Sequence, residues 1–156
     1  MAINPNTDFS SGAVLTAAQQ NRFPRGVMAY VQTTTTDATI SAEEIQLTTS
    51  SFTAVANRYY RITYYEPQIA LPATSGAFMV GRIKLTNLAG TQYTTAIAQN
   101  QAALATNYTM ITSVVTTFSA GSVVIVASLQ MSAGTGSATR SATQLAYLLV
   151  EDIGPA

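Results

Sequence analysis

The chain has 156 residues, with seven basic and seven acidic side chains, no histidine and no cysteine. Charged residues make up 9% of it, against about a quarter in ordinary soluble domains, while the apolar share of 47% is normal. This excludes a disordered chain, which needs low hydrophobicity and high net charge. It also excludes disulfides, Ser-His-Asp or Cys-His catalysis, and the usual zinc, copper and haem sites. Lys84 is the only lysine and no basic run exists, so the electrostatic footprint of nucleic-acid or membrane-surface binding is missing. No apolar run reaches the roughly 18 residues of a membrane span. The N-terminal MAINPNTDFSSG lacks the charged and apolar regions of a secretory signal. Thr, Ser, Ala and Gln fill the place of charge, giving a neutral polar surface that loses less on burial than an ionic one.

Residues 1–26 read as an arm and 27–156 as one domain. In the arm, Thr16 followed three residues later by Gln19 fits a capping box, predicting a helical turn that ends near Asn21. Phe23-Pro24-Arg25-Gly26 closes the arm with turn residues. From Val27 the period becomes two, with Val27, Ala29 and Val31 alternating with Met28, Tyr30 and Gln32. Residues 41–44 fit a helical turn or a plain turn. Residues 45–47 and 52–55 are expected as short strands flanking a Thr/Ser hairpin. Asn57 breaks the run, and residues 58–65, RYYRITYY, form the strongest strand signal. Pro67 is expected to end that strand or to place it at an edge. A loop at 71–76 precedes a strand at 78–88, and 87–90 is a turn. Residues 92–98 are strand-like, while 97–105 fit either strand or a short helix. Strands follow at 108–118, 122–131 and 145–150, with a flexible Gly/Ser/Thr segment at 132–137 and a short tail at 151–156. About eight strands at spacings of roughly ten residues, without alternating helices, predict an all-β fold. The expected form is an antiparallel β-sandwich, jelly-roll-like, preceded by an arm containing a helical turn.

The acids form two adjacent pairs, Glu43-Glu44 and Glu151-Asp152. Neighbours on a strand point to opposite faces, so neither pair converges by itself into a glycosidase dyad or a calcium site. Gly134-Thr-Gly136 lacks the Lys-Ser/Thr of a phosphate loop and fits a hairpin. No catalytic, cofactor or metal residue is therefore expected. Among the tyrosines of the strongest strand, Tyr59 and Tyr65 share one face and Tyr60 and Tyr64 the other, and at least one pair belongs to the core. Arg58, Arg61 and Arg82 read as rim or interface residues, because Arg and Tyr are enriched at protein interfaces. Tyr59, Tyr65, Arg61 and Arg82 are the candidate oligomer interface, and a sugar-stacking platform is the competing use of the tyrosines. In the arm, Phe9, Val14, Leu15, Asn21, Phe23 and Pro24 are the candidate docking residues. Their apolar members precede the sandwich, and several are too widely spaced to share one face of a short helix.

Three segments together resemble a known group. FSSGAVLTAAQQNRFPRG near the N-terminus, FTAVANRYYRITYYEP in the middle and LLVEDIGPA at the end resemble segments of small virion proteins and fibre modules of tailed bacteriophages, especially those infecting actinobacteria. The resemblance covers nearly the whole chain. It implies a β-sandwich virion component without enzymatic activity, assembled in the host cytoplasm. The implied partners are the major capsid protein or other virion proteins, and copies of the chain itself, with a trimer preferred. The lack of a long fibre shaft favours a head decoration protein, and a minor tail or fibre protein contacting host glycans is the alternative.

Overall fold

In the computed structural model, which describes residues 11–156, the period-two pattern becomes twelve strands and one four-residue helix. The helix α1 (Ala17–Gln20) starts where the sequence places it. The Thr16 hydroxyl accepts from the Gln19 N–H, and the Gln19 side chain accepts from the Thr16 N–H. Four strands form one layer: β1 (Gly26–Thr33), β12 (Ala146–Pro155), β5 (Arg58–Leu71) and β8 (Thr106–Thr117), in that spatial order. The facing layer is β3 (Glu44–Thr48), β10 (Ile125–Met131), β6 (Phe78–Leu85) and β7 (Gln92–Gln99). All these pairings are antiparallel. The chain alternates between layers in the way two interleaved Greek keys require, so the strand order is that of an eight-stranded jelly roll. Four short strands lie outside this frame. The strands β2 (Asp37–Ile40) and β11 (Gly136–Ala138) extend the first layer beyond the end of β12, and β4 (Phe52–Ala54) pairs with β9 (Gly121–Val123).

Alternation builds the core. Tyr60, Ile62 and Tyr64 of β5, Leu148 and Val150 of β12, Ile125, Ala127 and Leu129 of β10, and Met79 and Ile83 of β6 face one another, all fully buried. Each large side chain so buried contributes about 1.5–3 kcal/mol. The buried tyrosine hydroxyls are partnered: Tyr60 accepts from the Val55 N–H, and Tyr64 donates to Glu66.

The structure corrects several local expectations. Residues 45–47 and 52–55 do not form a hairpin with each other. The first segment pairs with β10 and the second with β9, and Leu47 and Phe52 are both buried there. Pro67 neither ends β5 nor puts it at an edge. The strand continues to Leu71 between β8 and β11, and Pro67 sits in a bulge between Glu66 and Ile69, where its missing N–H breaks no ladder bond. Residues 97–105 hold no helix: β7 runs to Gln99, followed by bends. The strand expected at 122–131 is interrupted at Val124. The segment at 132–137 ends in β11, and the expected tail at 151–156 is mostly the end of β12, paired with both β1 and β5.

The turn after β6 is tight. Thr86 has φ 65° and Gly90 closes the loop with its N–H donating to the Asn87 carbonyl. A Cβ added at Gly90 would lie 1.6 Å from the Leu85 carbonyl oxygen, a backbone atom. Gly90→Ala is therefore expected to destabilise the fold by about 1–3 kcal/mol, measurable by denaturant unfolding.

Candidate functional site

The arm is anchored at one point. Arg58, the first residue of β5, has the parity of Tyr60 and Tyr64 and so turns inward; its side chain is almost wholly buried. It makes a two-pronged ion pair with the buried Asp152 of β12, whose carboxylate also accepts from the Gly154 N–H. The remaining guanidinium hydrogens reach out of the sandwich. One nitrogen donates to the Asn21 carbonyl at 2.6 Å and another to the Phe23 carbonyl at 2.6 Å. Asn21 is the C-cap of α1, so the clamp fixes the helix end to the domain. Arg58 is thus not the rim residue that its chemistry suggested. Beyond the clamp, α1 buries no residue, Val14 is 89% and Leu15 40% exposed, and Phe23 and Pro24 are exposed. Phe9 lies outside the described residues.

The outer face of the first layer carries three of the four interface candidates. Strand register sets Gln32, Tyr147, Tyr65 and Ile111 in one row and Tyr30, Leu149, Thr63 and Ser113 in the next. Tyr65 stacks on Tyr147 with ring centres 5.2 Å apart, and Tyr30 lies 6.1 Å from Tyr147. A third row holds Glu151, Arg61 and Val115, with Arg61 donating to Glu151 at 2.9 Å. Tyr59 follows at the end of the same face, opposite Thr117. Arg82 is not with them. It projects from β6 in the other layer, 3.4 Å from Glu43.

Both acid pairs diverge, Glu151 and Asp152 by the alternation of β12. Glu43 turns to Lys84, Arg82 and Ser128, and Glu44 to Asp37. Glu151 meets Arg61 on the surface, while Asp152 meets Arg58 inside. Burial pushes the Glu43 carboxyl up, but hydrogen bonds from Lys84 and Ser128, with the charge of Arg82, outweigh it and hold Glu43 below its ordinary value of 4.5. A depressed carboxylate contributes stability above its unfolded pKa and loses it as pH falls through the native one. The wild-type protein should therefore lose stability as pH falls below about 4.5, and Glu43→Gln should flatten that part of a stability-against-pH curve.

A second buried pair was not anticipated. Glu66 is fully buried at the bulge of β5 and is held by Arg140 from the segment between β11 and β12. Arg140 also donates to the Thr35 carbonyl and the Gln46 side chain, and its own N–H donates to the Thr36 hydroxyl. Burial first, and then the Glu66 carboxylate, push the Tyr64 phenol well above its usual value, so it stays protonated and donates to Glu66. This cluster ties four segments at one end of the sandwich, and the Arg58 clamp ties the arm at the other end of the inward-facing Tyr60–Tyr64 row. An open depression of about 510 Å³ lies over the Arg140 end, lined by Thr33, Thr36, Asp37, Thr39 and Gln46. Among the described residues, no three acidic side chains gather where they could hold a metal ion. The candidate residues thus fall on a clamped arm with exposed Val14 and on a face of tyrosines beside the Arg61–Glu151 pair.

No family model matches the chain, and no curated protein matches it in sequence. Among solved structures, it is similar to infectious bursal disease virus strain Gt, with 13% identity over 85% of this chain and 38% of that one, TM-score 0.44. Strain Gx of the same virus gives 16% identity over 84% and 32%, TM-score 0.42. A mutant VP2 protein of that virus, in derived T=1 particles, gives 14% identity over 85% and 41%, TM-score 0.41. The chain thus spans about two-fifths or less of the length of these chains. The jelly-roll assignment rests on the strand order alone.

Proposed function

We propose that the chain is a non-enzymatic structural subunit of a bacteriophage particle, placed on the head exterior as a decoration protein. The observation that carries this reading is the arm. A buried arginine clamps its base, and Val14 at 89% and Leu15 at 40% exposure are presented to solvent. Side chains of this kind gain roughly 1.5–3 kcal/mol each on burial, and a neighbouring virion protein supplies the surface. The segment also lies within the part of the sequence that resembles tailed-phage virion proteins. Binding only to the assembled lattice stabilises that lattice by mass action and needs no active site. The subunit acts as a homo-oligomer, with a trimer preferred, on the major capsid protein.

Antibody labelling of intact particles tests this reading. Label spread over the head is expected, and label absent from particles overturns the virion role. A second reading, a minor tail or fibre protein that binds host glycans, draws on the partly exposed cluster of Tyr30, Tyr147 and Tyr65. Label confined to the tail selects it.

A further inference from the structure

From Leu85 to Thr139 the chain contains no charged residue. This stretch includes β7 and β8, the edge strands of the two layers on the same side of the sandwich. The two edges run together along their length. The Tyr108 hydroxyl at the start of β8 donates to the carbonyl of Gln99 at the end of β7, and Tyr93 near the start of β7 meets Phe118 just past β8, edge to face at 5.8 Å. Among the described residues, β8 pairs with β5 on one edge and with no strand on the other. Its twelve residues, TNYTMITSVVTT, include no Lys, Pro or Gly, and the bulge in its pairing belongs to β5. The devices that normally blunt a free sheet edge are therefore missing.

Met110 and Thr112 of β8 are buried, whereas Tyr93, Ala96, Ala98, Tyr108 and Val114 of the two edge strands are only partly so. Ile97 and Ile111 flank the edge at 61% and 62% exposure, with Val115 and Leu104 also exposed. The other side of the sandwich differs: there the chain carries Asp37, Glu43 and Glu44 around β2 and β3.

We infer that the β7–β8 side is the surface through which copies of this chain associate, the same side of each copy converging on a shared symmetry axis. A second copy is the occupant that the chemistry selects. Around an axis every charged group near the centre meets its own like charge, which is unfavourable, and the two edge strands themselves carry no charge to repel. A bare strand edge is matched by another strand edge, and each copy brings one. The inference deepens the homo-oligomer part of the function proposed above and places the contact at the edge rather than on the Tyr59–Arg61–Tyr65 face.

Sedimentation of the purified full chain, without particles, tests it separately from the virion role. The wild type is expected to sediment as an oligomer. Leu104→Asp and Ile97→Asp, each at an exposed position, are expected to sediment as monomers with an unchanged β-sheet spectrum. Tyr30→Asp, on the tyrosine row at the far edge of the same layer, is expected to remain oligomeric. A monomeric wild type overturns the inference, as do folded edge variants that associate like the wild type. Dissociation by Tyr30→Asp with the edge variants intact moves the contact to the tyrosine face. Association seen only after major capsid protein is added assigns this side to that partner instead. If one edge variant loses its strand spectrum, the other decides.

Discussion

Arg140→Ala is expected to destabilise the protein by about 3–5 kcal/mol, a drop in Tm of roughly 6–20 °C for a domain of this size. Arg140 gives Glu66 two hydrogen bonds, and both side chains are buried. Without the guanidinium, the carboxylate keeps only the Tyr64 hydroxyl as partner in a place water does not reach. The Thr35 carbonyl and the Gln46 side chain lose their donor as well. The loss is therefore the cost of an uncompensated charge rather than the worth of one ion pair. Replacing both members should show this: Glu66→Gln combined with Arg140→Ala should cost less than the sum of the two single changes. Denaturant unfolding of the four proteins measures it, and a single Arg140→Ala loss under about 1 kcal/mol would mean that water enters the cluster.

Arg58→Ala carries a loss of similar size, about 3–5 kcal/mol, for the same reason at Asp152. It has a second consequence that Arg140→Ala lacks. The Asn21 and Phe23 carbonyls lose the donors that fix the arm, so the arm should become readily cleaved by protease while the sandwich persists. Limited proteolysis followed by mass measurement reads this directly. Early cleavage around residues 11–25 is expected in the variant and not in the wild type. Equal rates of arm cleavage in both would show that Arg58 does not hold the arm.

Much of this architecture can be read from sequence because a sandwich imposes a period of two. The capping box at Thr16 is a local rule and holds. Parity alone separates Tyr60 and Tyr64 from Tyr59 and Tyr65, and the fold puts the first pair inside. The same parity puts Arg58 and Glu66 on the inner face of β5, and residue chemistry misleads there: an arginine suggests a rim until its buried partner is known. Those partners, Asp152 and Arg140, lie 94 and 74 residues away, and no local pattern connects them. The false hairpin between β3 and β4 has the same origin. A Thr/Ser turn looks alike whether the chain folds back in one layer or crosses to the other. Pro67 misled because a bulge, invisible in the sequence, lets a central strand hold a residue without an N–H. The arm residues Val14 and Leu15 are apolar in the sequence and exposed in the fold, whereas Arg82 shares only its chemistry, not its face, with Tyr59, Arg61 and Tyr65.

The central claim, a virion subunit held by its arm, meets its most direct test in particle occupancy. Deleting residues 1–25 is a blunt form of this test, since it also removes the two carbonyls that Arg58 holds. Val14→Asp with Leu15→Asp leaves the clamp and the capping box in place and changes only exposed side chains. Particles assembled with this variant as the only source of the protein should carry little or none of it, while the purified variant keeps the wild-type melting temperature. Wild-type occupancy by the folded variant would contradict the account.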